Sequence, residues 1–130
     1  MKKHILIVLS FFITLLSCRK DDKQDLFETK VVQLVFSPGG VGSTFGYTNA
    51  TSGDKGNRTG SGLTTLTATV RPGDQMTLQM NCDRKSDFNQ EIRIVMDNKE
   101  LVKSGEPQYS DERQTVYVLN YTFGESLFRK

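Results

Sequence analysis

The chain has 130 residues, of which 17 are basic, 15 are acidic and one is histidine, and it contains two cysteines and no tryptophan. This length suits one domain with one modest core. The balanced charge and the lack of a Lys/Arg-rich run argue against a nucleic-acid partner. The single histidine is His4, so the rest of the chain offers no Ser-His or Cys-His nucleophile and no histidine ligand for zinc.

Residues 1–17, MKKHILIVLSFFITLLS, have the layout of a secretory signal peptide. Lys2 and Lys3 form a positive start, residues 5–16 are almost entirely apolar, and Ser17 is a small residue at the expected cleavage point. The apolar part is short for a permanent transmembrane helix. The alternative, a buried N-terminal helix, would need an amphipathic pattern that is absent. Cleavage removes two lysines and the histidine and leaves 15 basic and 15 acidic residues, a neutral balance.

Residues 15–18, LLSC, resemble the lipobox of bacterial lipoproteins. The resemblance implies cleavage between Ser17 and Cys18, diacylation of the Cys18 thiol and acylation of the new N-terminus. Two or three acyl chains attach a protein stably to a membrane, whereas one chain attaches it only marginally. The alternative is a plain secreted protein that is cut near Ser17. If Cys18 is acylated, Cys82 has no partner for an intramolecular disulfide.

A charged stretch, RKDDK, follows this cysteine directly. Within it, Lys20, Asp21 and Asp22 resemble the surface-export signal of lipoproteins from Bacteroidota. The resemblance implies that the protein is anchored in the outer leaflet of the outer membrane. The alternative is a solvated charged tether without an export role.

The mature chain is predicted to begin with a flexible tether, residues 18–30, because this segment is charged and has few large apolar side chains. From there on, alternating apolar residues and a high content of β-branched residues predict strands. The seven predicted strands are residues 31–37, 43–49, 63–70, 75–82, 91–96, 100–103 and 114–123.

Polar and glycine-rich connections separate these strands. Residues 50–62 are predicted to be the most mobile loop, and residues 104–113 form another polar loop. The sequence RPGD at 71–74 predicts a tight turn in which Pro72 fixes φ and Gly73 takes a positive φ. Residues 97–99 are predicted to reverse the chain in a hairpin.

Residues 31–130 are therefore predicted to form one all-β domain, a single antiparallel β-sandwich of about seven strands. The prediction covers an immunoglobulin-like architecture only, because the Cys-Trp-Cys pattern of true immunoglobulin domains is missing. The last strand has apolar residues on both faces, which favours a central position in its sheet over an edge.

Two segments, TTLTATVRPGDQMTLQMNC and EIRIVMDNKELVKSG, are followed by an aromatic closing strand. This order resembles small β-sandwich lipoproteins of Bacteroidota, and a similar layout occurs in the mycobacterial MmpS accessory proteins, which work beside membrane transporters. The chain departs from the pattern at residues 96–99, where Met-Asp-Asn-Lys replaces the preferred Asp-Gly-Lys. The resemblance provides no catalytic residues that could be carried over to this chain.

Cys82 alternates with Met76, Leu78 and Met80 and is predicted to be a buried thiol that behaves as a small apolar side chain. The alternative, a reactive thiol, would depend on Arg84 to lower its pKa. Gly40, Gly42 and Gly46 resemble a dinucleotide loop superficially, but the residues that follow favour a strand over the helix that such a loop needs.

No cofactor and no metal site are predicted, since Asp83 and Asp87 alone supply too few oxygen ligands for calcium. A carboxylate pair for glycoside hydrolysis stays open as an alternative. Its candidates at loop edges are Glu91, Glu106, Asp111 and Glu112. Glycan binding is another alternative, with Tyr47 and Tyr109 as the stacking platforms. Either tyrosine could instead pack within its own strand or loop.

We therefore expect a non-enzymatic, lipid-anchored β-sandwich that acts as a binding or accessory module at the bacterial outer membrane or cell surface. The expected partners are the membrane, through the lipid anchor, and a protein of the cell envelope. The oligomeric state stays open.

The lipid anchor predicts the behaviour of a Cys18→Ala variant. Because this thiol is the acylation site, the variant should lose metabolic labelling with palmitate and accumulate as the uncut precursor. Labelled palmitate and the mobility of the protein on a denaturing gel measure both effects. Labelling that survives the substitution would contradict the lipobox assignment.

Overall fold

The computed structural model describes residues 28–37, 42–83 and 90–129. The signal peptide, Cys18 and the export residues Lys20, Asp21 and Asp22 lie outside the described residues. Within the described ranges no helix is both long and apolar enough to cross a membrane.

The described chain forms nine strands and a short 3-10 helix at Glu125–Phe128. The strands are β1 (Lys30–Ser37), β2 (Ser43–Asn49), β3 (Lys55–Gly60), β4 (Thr64–Val70), β5 (Gln75–Cys82), β6 (Glu91–Met96), β7 (Lys99–Ser104), β8 (Tyr109–Ser110) and β9 (Thr115–Thr122). They build a four-stranded sheet in the order β4-β1-β6-β7 and a five-stranded sheet in the order β3-β2-β5-β9-β8. The two antiparallel sheets pack against each other, which confirms the predicted all-β sandwich.

All seven predicted strands are present, and β2, β5 and β6 have the predicted bounds. The prediction of a central last strand is confirmed, because β9 lies between β5 and β8. The prediction that residues 50–62 form a mobile loop was wrong, since β3 occupies residues 55–60 of that segment. The predicted loop at 104–113 also contains the two-residue strand β8. Both extra strands lie at edges of the five-stranded sheet and form by pairing with a neighbour.

The core lies between the sheets and consists of the alternate residues that point inward. Strand β5 shows this most clearly, with the burial of every second residue from Met76 to Cys82. The largest fully buried side chains are Phe36, Phe45, Phe123, Leu34, Met76, Leu78, Met80, Ile92 and Ile94. Phe36 and Phe45 come from different sheets, and their ring centroids are 5.5 Å apart.

Two predicted turns have the expected backbone. Gly73 has a φ of 85°, and the Asp74 N–H donates to the Arg71 carbonyl at 3.2 Å, which closes the RPGD turn. Asp97 and Asn98 have φ values of 51° and 61°. Positive φ at both central residues is the geometry of a two-residue hairpin turn that matches the twist of the flanking strands.

Strand β3 packs closely against β2 through a glycine. Gly56 lies opposite Tyr47, and a Cβ atom at Gly56 would lie 2.6 Å from Cε1 of the Tyr47 ring. The tyrosine ring is buried, with 9% exposure, and its hydroxyl donates to Asp54 at 3.0 Å. The ring therefore covers the backbone of β3 at a position where a side chain would clash with it.

We expect Gly56→Ala to lower the free energy of unfolding by about 1–3 kcal/mol, because the added methyl group must displace the Tyr47 ring. Gly60→Ala is the matched control, since Gly60 lies on the same strand and face and a Cβ there has no atom within 4 Å. Urea unfolding of the purified chain measures both. Equal midpoints for the two variants would contradict this account of how β3 packs.

Candidate functional site

The outward face of the five-stranded sheet contains three cross-strand rows of side chains, which we call the polar face. The first row contains Tyr109, Val116, Asn81, Thr44 and Thr59. The second contains Val118, Gln79, Gly46 and Asn57. The third contains Asn120, Thr77, Thr48 and Lys55. Residues directly opposite on antiparallel strands share a face, so each row runs across the sheet.

The polar face has a depression of about 650 Å³ over β2, β3 and β5. Gly46 is one of the residues that line it and has no side chain to fill it. The depression is also lined by side-chain amides (Asn57, Gln79 and Asn81) and by threonine hydroxyls (Thr44, Thr48 and Thr77). Lys55, in the third row, is the one charged side chain of the three rows.

Two hydrogen bonds orient side chains of the polar face. The Thr77 hydroxyl donates to Oδ1 of Asn120 at 2.7 Å, and Nε2 of Gln79 donates to Oδ1 of Asn81 at 2.9 Å. Each amide can form further hydrogen bonds, because an Asn or Gln amide has two N–H donors and an oxygen with two lone pairs. The face therefore presents fixed donors and acceptors to solvent.

Tyr109 lies at the β8 end of the first row and is 51% exposed. Its hydroxyl donates to Oδ2 of Asp111 at 2.6 Å, while the Arg113 and Gln114 N–H groups donate to Oδ1 of the same carboxylate at 2.7 and 2.8 Å. The Tyr109 hydroxyl, followed by the two N–H groups, lowers the pKa of Asp111. The same hydrogen bond raises the pKa of Tyr109. Asp111 thus stays ionised and holds the tyrosine ring in place.

The structure separates the two tyrosines that the sequence singled out. Tyr47 points into the sandwich against Gly56, whereas Tyr109 belongs to the exposed face. Burial, with the Asp54 hydrogen bond as a second cause, raises the pKa of Tyr47. The interpretation of Tyr47 as a stacking platform therefore does not fit its position. The sequence pattern that indicates burial is the spacing of two residues between Tyr47 and Phe45, which places both on the inward face of β2.

Two of the four candidate carboxylates, Glu91 and Asp111, have structural partners. Oε1 of Glu91 lies 3.1 Å from Nε of Arg93 on the four-stranded sheet, and Asp111 holds the turn before β9. No group of three or more His, Cys, Asp or Glu residues that could hold a metal ion occurs among residues 28–37, 42–83 and 90–129. Asp87, the second calcium candidate, lies outside the described residues. Gly42 leads directly into β2, so a strand and not a helix follows the glycine-rich stretch.

Cys82 is 1% exposed and forms no disulfide. Burial is the main cause that raises the pKa of its thiol, and the negative charge of Asp83 raises it further. Because the thiolate is the nucleophile, a raised pKa and burial both suppress reactivity. Arg84, which the reactive interpretation needed, lies outside the described residues.

Sequence reasoning did not identify the amides of the polar face as a group. Gln79 and Asn81 lie in a strand whose outward positions are easily predicted, but Asn57 lies in a segment that was predicted to be a loop. The three side chains come to line one depression only through the pairing of β5 with β2 and of β2 with β3.

Comparisons of the chain with protein-family models, with curated proteins and with solved structures gave no match.

The burial of Cys82 predicts slow reaction with a thiol reagent. At pH 8 the native thiol should react roughly 100-fold more slowly than in urea, because labelling must wait for an opening that costs about 3 kcal/mol. The native rate should rise with pH, since the raised pKa keeps the thiolate fraction low at neutral pH. A coloured disulfide reagent measures the rate, and Cys82→Ser identifies the signal. A native rate equal to that in urea would contradict the structural role.

Proposed function

We propose that this chain is a lipid-anchored, non-enzymatic binding module at the surface of the bacterial outer membrane. The N-terminal pattern supports the location, because residues 15–18 resemble a lipobox and residues 20–22 resemble a surface-export signal. The fold is consistent with a folded domain attached to a tether, because the first strand, β1, begins at Lys30, where the proposed tether ends.

The polar face is the observation on which the binding role depends. Its amides and hydroxyls are hydrogen-bonding groups that exchange no proton with a ligand near neutral pH. They are arranged in register on three adjacent strands, around a depression at Gly46. A rigid sheet holds such groups more precisely than a loop does. This chemistry suits recognition of a ligand through hydrogen bonds.

The surface location predicts that protease added to intact cells degrades the protein. In the Asp21→Ala, Asp22→Ala double variant, the protein should stay anchored but become protected, because it would remain on the inner leaflet. Immunoblots of protease-treated intact and lysed cells measure the difference, and the lysed cells control for intrinsic resistance. Equal degradation of both proteins in intact cells would remove the export role of these aspartates.

The binding role predicts that crosslinks form from the polar face and not from the other sheet. A Gln79→Cys variant, labelled with a thiol-reactive photo-crosslinker on intact cells, should form adducts upon illumination. Thr67→Cys is the matched control, because Thr67 is an exposed strand residue on the outward side of the four-stranded sheet. Native Cys82 is buried and should stay unlabelled. No adduct at Gln79, or the same adducts at both positions, would contradict the proposal.

A further inference from the structure

We propose that the polar face binds a neutral glycan, with the depression at Gly46 as the main subsite and Tyr109 at the far end of the site. This inference rests on the proposed binding function and adds the chemical class of the ligand. It uses the side chains of the three rows and does not use Tyr47, whose ring is buried.

The chemistry of the face matches a ligand with many hydroxyl groups and no charge. A sugar hydroxyl donates one hydrogen bond and accepts others, and an amide beside it can do both. Asn57, Gln79 and Asn81 supply such amides around the depression. A phosphate-rich ligand would call for clustered Arg and Lys, whereas the rows contain Lys55 alone. The core of a protein interface is enriched in aromatic residues and Arg, which the depression lacks among its outward side chains.

The dimensions of the face suit an extended chain of sugars better than a single ring. The first row crosses five strands, and neighbouring strands lie about 4.8 Å apart, so its ends are roughly 19 Å apart. Gly46, in the neighbouring second row, leaves room for a ring beside this path, while Val116 and Tyr109 give an apolar surface at the β8 end. The C–H face of a sugar ring is apolar and can pack on such an aromatic surface.

The Tyr109 side chain is already ordered in the orientation needed for contact with a sugar ring. Its hydroxyl is fixed by Asp111, which is itself fixed by two backbone N–H groups. A ring that is already ordered loses little rotamer freedom when a ligand packs on it. About half of the surface of Tyr109 stays exposed in the free protein, so a ligand can reach it without rearranging the loop.

Affinity electrophoresis of the full-length lipidated chain in detergent tests the inference. The probes are soluble neutral polysaccharides (a β-glucan, a mannan, a xylan and dextran) and polygalacturonate as the acidic comparison. We expect at least one neutral polymer to retard the protein. Gln79→Ala and Asn81→Ala should each weaken the retardation constant roughly three- to tenfold, the loss expected for one neutral hydrogen bond. Thr67→Ala, on the other sheet, should bind as the unmodified protein does.

Gly46→Thr is a second kind of variant, because it adds atoms to the depression and removes no hydrogen-bonding group. It should abolish retardation on the neutral polymer. A Cβ at Gly46 would lie 3.3 Å from the Gly56 carbonyl oxygen, so a thermal melt must accompany this variant. Gln79 is exposed and Asn81 is half-buried on the outer face, so their alanine variants keep the test decisive if Gly46→Thr unfolds.

Three results would overturn the inference. They are retardation by no neutral polymer, retardation by polygalacturonate alone, and unchanged retardation in the Gln79→Ala, Asn81→Ala double variant. The crosslinking at Gln79 separates this failure from a failure of the proposed function. Adducts at Gln79 without glycan binding would leave a binding module with another ligand, whereas the loss of both would remove the binding role itself.

Discussion

The buried hydrogen bond between Asn49 and Asp74 is the constraint that fixes β2 against β5 in the five-stranded sheet. Nδ2 of Asn49 donates to Oδ2 of Asp74 at 2.8 Å, and the two residues are 0% and 4% exposed. Asn49 ends β2, while Asp74 closes the turn through which the chain crosses from the four-stranded sheet to β5. The Phe123 N–H donates to the Asp74 carbonyl at 2.9 Å, so the end of β9 is fixed at the same point. A buried polar pair of this kind costs free energy unless its hydrogen bonds are complete. The pair therefore favours the one register of β2 against β5 in which this hydrogen bond forms.

This register also determines the polar face. A shift of one residue between β2 and β5 would exchange the inward and outward side chains of a strand. Gln79 and Asn81 would then enter the core and Met80 would face water, so the hydrophobic core and the polar face depend on the same alignment. The Asn49–Asp74 bond therefore supports the candidate site from the end of the strands, at a distance from the depression itself.

The parts of the fold that the sequence predicts well are those that local patterns determine. Strand β5 alternates over its whole length, and the RPGD turn contains the residues that its φ angles require. Strand β3, KGNRTG, has no apolar alternation, and it becomes a strand because β2 offers an unpaired edge and Gly56 fits beneath Tyr47. For the same reason the candidate site was only partly predictable. Tyr109 could be identified from its polar surroundings, but the amide cluster exists only through the pairing of distant strands.

The two outward faces of the sandwich differ in a way that suits a surface-anchored binding module. On the four-stranded sheet, Nε of Arg93 lies 3.1 Å from Oε1 of Glu91, and Nη1 of Arg93 lies 3.9 Å from Oε2 of Glu100. The positive charge of Arg93 is therefore compensated by carboxylates of the same sheet. The polar face of the other sheet is uncharged except for Lys55 at its edge. On the lipoprotein hypothesis the anchor joins the domain at β1, which belongs to the four-stranded sheet. A 13-residue tether, residues 18–30, reaches at most about 45 Å when fully extended. On this hypothesis the tether enters through the layer opposite the polar face, so an anchored domain would leave the polar face open to a ligand.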